Sequence, residues 1–258
     1  MQEARLNIRS RGFTLIEVTV SLLIGAMLMT AVYRIWSANH KATERIGNKS
    51  DFRNMATLAT NRLNRSITMA GFGMTKMDVL YRTRTEATDT LIIYSNPSER
   101  RTTLKDTAAA YATSIRVFTD SGISIGGRIG ITDSIQQEYA TVTEKSGDSA
   151  SGFVLTLSAP LQHKFLPGIP DVYPVQKETF FLSRSNRAMI RRIDDLSEVL
   201  GEGMTEFRIE LKDADGNDAT TYRTIRVVSF ALTGTYKAPQ GTSNTMRFSS
   251  TVIPRNIL

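Results

Sequence analysis

Arg11-Gly12-Phe13-Thr14-Leu15-Ile16-Glu17-Val18 opens an apolar stretch that continues through Thr19-Val20-Ser21-Leu22-Leu23-Ile24-Gly25-Ala26-Met27-Leu28-Met29-Thr30-Ala31-Val32 to Trp36. Between Phe13 and Val32 its single ionisable residue is Glu17. Wound as a helix at about 1.5 Å per residue, the stretch is long enough to cross a hydrocarbon layer about 30 Å thick. An ionised carboxylate at mid-bilayer costs about 2.5–3.5 kcal/mol, so Glu17 must be offset by a partner or a function. A plain signal anchor, with Glu17 reaching for the interface, accounts for the hydropathy. It leaves the order Gly-Phe-Thr-Leu-Ile-Glu unexplained.

Outward from this stretch, the chain predicts one long helix and then strands. Ala38, Ala42 and Ile46 recur every four residues, and Phe52, Met55, Ala59, Leu63 and Ile67 at threes and fours. Lys41, Glu44, Lys49, Arg53, Asn61 and Arg65 make the opposite face polar, so the helix turns amphipathic past Trp36. Gly47 is its weak point, and Ala70-Gly71-Phe72-Gly73 supplies glycines to end it near Met69.

From Thr88 the pattern is that of strands: Leu91–Tyr94, Ile115 with Val117, 127–132, 139–143 and 153–157, with Gly, Ser and Asp between them. Short strands at this spacing predict a small barrel or sandwich. A hairpin is expected over Phe180–Leu182 and Met189–Ile190, and a short helix or turn over Asp194–Leu200. Phe207, Ile209 and Leu211 alternate with charged residues, and 225–232 follows a turn at Asp213-Ala214-Asp215-Gly216-Asn217. A last strand sets Met246, Phe248 and Val252 to one side.

At 41% hydrophobic and 22% charged residues the composition is that of a folded chain of 258 residues. It contains no cysteine, which rules out disulfide support and thiol nucleophiles. The net charge is +7. Arg5, Arg9 and Arg11 precede the apolar stretch, while Arg34, Lys41 and Arg45 follow it and blur the charge bias that orients membrane helices.

The stretch from Arg11 to Val18, behind Arg5 and Arg9, resembles the type IV pilins and pseudopilins. That resemblance implies a prepilin leader over residues 1–12, cut by a prepilin peptidase between Gly12 and Phe13, with methylation of the new amino terminus at Phe13. Gly12 lets an extended backbone enter a narrow protease cleft. Cleavage creates an amine that Glu17 of a neighbouring subunit can neutralise in a low-dielectric fibre. Ala70-Gly71-Phe72-Gly73, and the tail from Arg247 to Asn256, are similar to PilW-like minor pilins and the related J-type pseudopilins.

The fold implied is α+β: a pilin-like fold with a long N-terminal helix, its first half transmembrane, packed on an antiparallel β-sheet, with an inserted small β-barrel or sandwich subdomain. The expected divisions are 1–12 as leader, 13–36 as transmembrane and assembly helix, and 37–70 as its amphipathic continuation. Residues 71–106 and 175–258 would form the pilin-like β domain, and 107–174 the insertion. The implied protein is a minor pilin in the initiation or tip complex of a type IV pilus. A J-like minor pseudopilin of type II secretion and a pilus-displayed adhesin or ligand-binding module are the alternatives. Implied partners are the prepilin peptidase, other minor and major pilins, an inner-membrane assembly platform, and membrane lipid before assembly. The implied location is the inner (cytoplasmic) membrane as a single-pass protein with its C-terminal domain outside the cytoplasm, followed by a surface pilus or a periplasmic pseudopilus.

Other chemistry finds little support. His40 and His163 stand far apart without clusters of ligand types. Asp213, Asp215, Asn217 and Asp218 alternate as calcium ligands do, but Gly216 is at the fourth place and Thr224 at the twelfth, so a hairpin turn fits better. Arg184, Arg187, Arg191 and Arg192 suit phosphate, yet little aromatic residue lies among them for stacking, which argues against nucleic acid. No cofactor, metal or catalytic residue is expected, and an anchored enzyme is the weakest reading.

Overall fold

A computed structural model describes residues 14–74, 78–85, 88–133, 135–219, 221–237 and 242–256. Gly12 and Phe13 lie outside them, as does the leader. The chain divides into two compact units, one of Met1–Lys49 with Lys237–Thr242, the other of Ser50–Tyr236 with Ser243–Leu258.

Helix α1 runs over Leu15–Thr68, without a break at Gly47. In the first unit its apolar side chains face outward: Leu15 is 85% exposed and Leu22 70%. Two hydroxyls in this part bond to its own backbone, Thr19 Oγ1 donating to the Leu15 carbonyl and Thr30 Oγ1 to that of Ala26, each at 2.8 Å. Those polar groups therefore need no partner outside the helix, as residence in a bilayer requires. The helix is long and apolar enough to cross one.

In the second unit α1 buries Phe52, Ala56, Ala59, Leu63 and Ile67, a stripe at helical spacing. Ala56 is buried where the sequence pattern placed Met55, because small residues let a helix approach a sheet closely. The helix stops as expected. Gly71 and Gly73 take φ of 75° and 66°, and the Gly71 N–H donates to the Tyr94 carbonyl at 2.9 Å.

The strands are β1 (Leu80–Arg84), β2 (Asp89–Ser95), β3 (Thr102–Thr103), β4 (Ser114–Val117), β5 (Arg128–Thr132), β6 (Gln137–Asp148), β7 (Gly152–Leu157), β8 (Asp171–Ser183), β9 (Ala188–Ile193), β10 (Leu196–Glu202), β11 (Met204–Lys212), β12 (Val227–Lys237) and β13 (Ser243–Val252). β11, β12 and β13 form a three-stranded sheet, and the other strands form one larger sheet. The strand pairings of the larger sheet, and that of β11 with β12, are antiparallel. The α+β class expected from the sequence is the class observed.

β8 organises the larger sheet. Its first part pairs with β5 and β3, its second with β2 and β9. Leu104, just after β3, bridges to Val117 of β4. Hydrogen-bonded neighbours therefore run in a closed circuit, β8–β5–β6–β7–β4–β3–β8, around a core that includes Leu104, Ile129, Val142, Leu155 and Phe165. This is a small barrel. β8 runs straight through Pro174, which falls where its second edge passes from β3 to β2, the kind of gap at which a strand tolerates proline.

A second core lies between α1 and the sheets, with Leu63, Ile93, Phe180, Phe207, Val228 and Leu232 among its members. Of the helix or turn expected at Asp194–Leu200, the turn is found at Asp194-Asp195, and strand β10, paired with β9, follows it where a helix was the alternative. Asp194 takes φ of 49° in that turn, and its carboxylate accepts the Lys177 N–H at 3.1 Å.

Candidate assembly site at the start of the long helix

Of the three residues singled out by sequence, Glu17 is described, and Gly12 and Phe13 lie outside the described residues. Glu17 sits in the first turn of α1. Its Oε2 accepts the Thr14 N–H at 3.1 Å and the Thr14 hydroxyl at 3.2 Å, while the Glu17 N–H donates to Thr14 Oγ1 at 3.3 Å. The first helical bond, from the Val18 N–H to the Thr14 carbonyl, is 3.2 Å. Thr14 is therefore the N-cap and Glu17 the third helical residue of a reciprocal capping box. The Thr-x-x-Glu spacing ahead of an apolar run is the signal that names Thr14, a residue the site reading passed over.

The arrangement fixes a carboxylate at the positive end of the helix macrodipole, with its exposed side open to a further donor. Around it Leu15 and Ile16 are exposed apolar residues. A cationic group arriving from another molecule would find an acceptor already oriented.

The remaining candidates are engaged in structure. His40 stacks on Trp36 at 5.5 Å between ring centroids, with Glu44 3.4 Å away. His163 pairs with Glu138 at 2.6 Å. Asp213 Oδ1 accepts the N–H groups of Asp215 and Asn217 at 3.0 and 2.9 Å, so that carboxylate closes its own turn. Among the described residues no three His, Cys, Asp or Glu side chains are grouped as metal ligands would be. Of the hairpin arginines, Arg192 lies over the Phe181 ring, Arg187 donates to Thr235, and Arg191 pairs with Glu178 and Glu198.

Residues 7–33 match the model of the prokaryotic N-terminal methylation motif. The chain carries the N-terminal methylation motif. The match spans the apolar start of α1, where Thr14 and Glu17 lie. No curated protein matches the chain. Among solved structures it is similar to the type IV-like pilin TTHA1219 from Thermus thermophilus, at 7% identity and a TM-score of 0.40, over 80% of this chain and 98% of that one.

Proposed function

We propose that the chain is a minor pilin, PilW-like in kind, incorporated in low copy number into the initiation or tip complex of a type IV pilus. In this reading a prepilin peptidase cuts after Gly12, Phe13 becomes the methylated first residue, and the protein waits in the inner membrane with its C-terminal domain outside the cytoplasm. Glu17 then pairs with the Phe13 amine of a neighbouring pilin subunit. The observation that carries the proposal is Glu17, the single ionisable residue between Phe13 and Val32, held ready by Thr14 at the start of the exposed apolar stretch of α1. The domain following Phe72, with its barrel over much of the proposed insertion 107–174, is bulky for a subunit repeated along a thin filament, which favours few copies.

Mass spectrometry of the mature protein should find residues 1–12 gone and a methylated Phe13. Glu17→Ala should still be processed but be recovered from sheared filaments at a level reduced by about tenfold or more. Residues 1–12 retained in cells with working peptidase, or normal incorporation of Glu17→Ala, would overturn the reading. Recovery in a periplasmic pseudopilus would move the assignment to a J-like pseudopilin.

A further inference from the structure

Near the C-terminal end of α1, Arg62 and Arg65 stand three residues apart and so share a face. Among the described residues no carboxylate lies within ion-pair distance of either. Arg191 beside them is in a different condition: Glu178 holds it at 2.9 Å and Glu198 at 3.3 Å. All three arginines line one cleft of about 290 Å³, whose apolar lining includes Met69, Phe72 and Pro97.

The cleft is pre-formed. The Asn96 N–H donates to the Phe72 carbonyl at 2.8 Å, and Asn96 Nδ2 donates to the Gly73 carbonyl at 3.1 Å, tying the loop after α1 to the end of β2. Ser66 donates to Glu178 at 2.6 Å and fastens the opposite wall. A site already ordered loses little entropy when it is filled.

We propose that this cleft receives an acidic side chain, flanked by an apolar one, from a neighbouring pilin-like subunit. The inference rests on the reading of the chain as a filament subunit. Charge decides the class of occupant: two guanidiniums lack carboxylates, and guanidinium matches carboxylate in bidentate geometry. A nucleic-acid backbone would ask for a longer row of free cations, whereas here a carboxylate, Glu178, and apolar groups share the walls. An acidic residue with an apolar neighbour satisfies both halves of the lining.

The test places photoreactive p-benzoylphenylalanine at Met69, which is 39% exposed, in the full chain within cells carrying its whole assembly system. On illumination the adduct should map to an Asp- or Glu-containing peptide of another pilin-like subunit. Reversing charge with Arg62→Glu and Arg65→Glu should lower its yield about tenfold or more, while Arg53→Glu, outside the cleft, leaves it unchanged. Should the reversed pair melt lower than the parent, Arg62→Gln with Arg65→Gln replaces it under the same criteria. Adducts confined to lipid or nucleic acid, no adduct in processed and assembled protein, or a yield indifferent to charge would each overturn the proposal. The N-terminal mass of the same sample separates the two failures. Retained residues 1–12 remove the subunit reading and the cleft with it; correct processing with a charge-indifferent cleft removes the cleft alone.

Discussion

Arg191 and Glu178 form an enclosed charge pair in the sheet domain, with side chains 15% and 12% exposed. Arg191 donates through Nη2 and Nε to the two Glu178 oxygens, at 2.9 and 3.3 Å, and Ser66 completes the carboxylate's set. These hydrogen bonds raise the Arg191 pKa further, against the opposing effect of burial, so the group stays charged. Removing one partner strands the other in a poorly solvated place. Arg191→Met should therefore cost about 2–4 kcal/mol in chemical denaturation, and adding Glu178→Gln should recover part of that loss. Full additivity of the two changes would show the pair is uncoupled. The sequence argues against nucleic acid at the four hairpin arginines but does not show what engages them, because their partners are distant or on other strands: Glu178, Ser197 and Thr235 for three of them. Glu17 was legible for the opposite reason, since an ionisable residue in an apolar run is anomalous by itself. Thr14, its partner, carries no such anomaly and emerges only from spacing.

The elements show where local signals suffice. The long helix, its amphipathic second half and its glycine stop were readable because each depends on neighbours within a few residues. Gly73 illustrates why the stop is firm: φ is 66°, and a Cβ there would lie 2.4 Å from the Asn96 carbonyl oxygen. Gly73→Ala should cost about 2–3 kcal/mol, whereas Gly216→Ala, at φ 83° in open space, should cost about 1 kcal/mol. Equal shifts in thermal melting would mean that the contact with Asn96 relaxes freely. Strand β10 carries no apolar alternation, so the sequence leaves only a helix or turn to be expected there. Leu196 and Val199 are in fact exposed, and the two aspartates make a turn instead of capping a helix. The β6–β7 turn has a pH signature. Asp148 accepts the N–H groups of Ser151 and Ala150 and the Ser151 hydroxyl, which holds its pKa below the usual carboxylate range. Its contribution is thus present above the ordinary carboxylate pKa and lost as the pH falls through the lowered one. Asp148→Asn should flatten that acid limb in melts between pH 5 and about pH 2; an unchanged limb would count against the turn.

Across the sheet domain, the barrel core and the helix-facing core are distinct clusters of side chains that share strand β8. Short strands at regular spacing suggested a barrel, but not which strand would belong to both cores, because pairing between Asp171 and Thr132 or between Phe180 and Leu91 leaves no local trace. Sharing a strand has an energetic consequence. Unfolding the barrel would strip β8 of β5 beside Val172 and Tyr173 and of β3 beside Val172, residues 0% and 1% exposed, so the two cores should open together. Phe165, fully buried in the barrel, tests this. Phe165→Ala should cost about 3–5 kcal/mol, and hydrogen exchange should speed up alike for amides of β5 and for those of β2 and β9, which touch β8 only beyond the barrel. Faster exchange confined to β4–β7 would show that the barrel opens alone. Its residues could then be varied without disturbing the helix-facing core, which is what a displayed binding module would require and what a shared strand forbids.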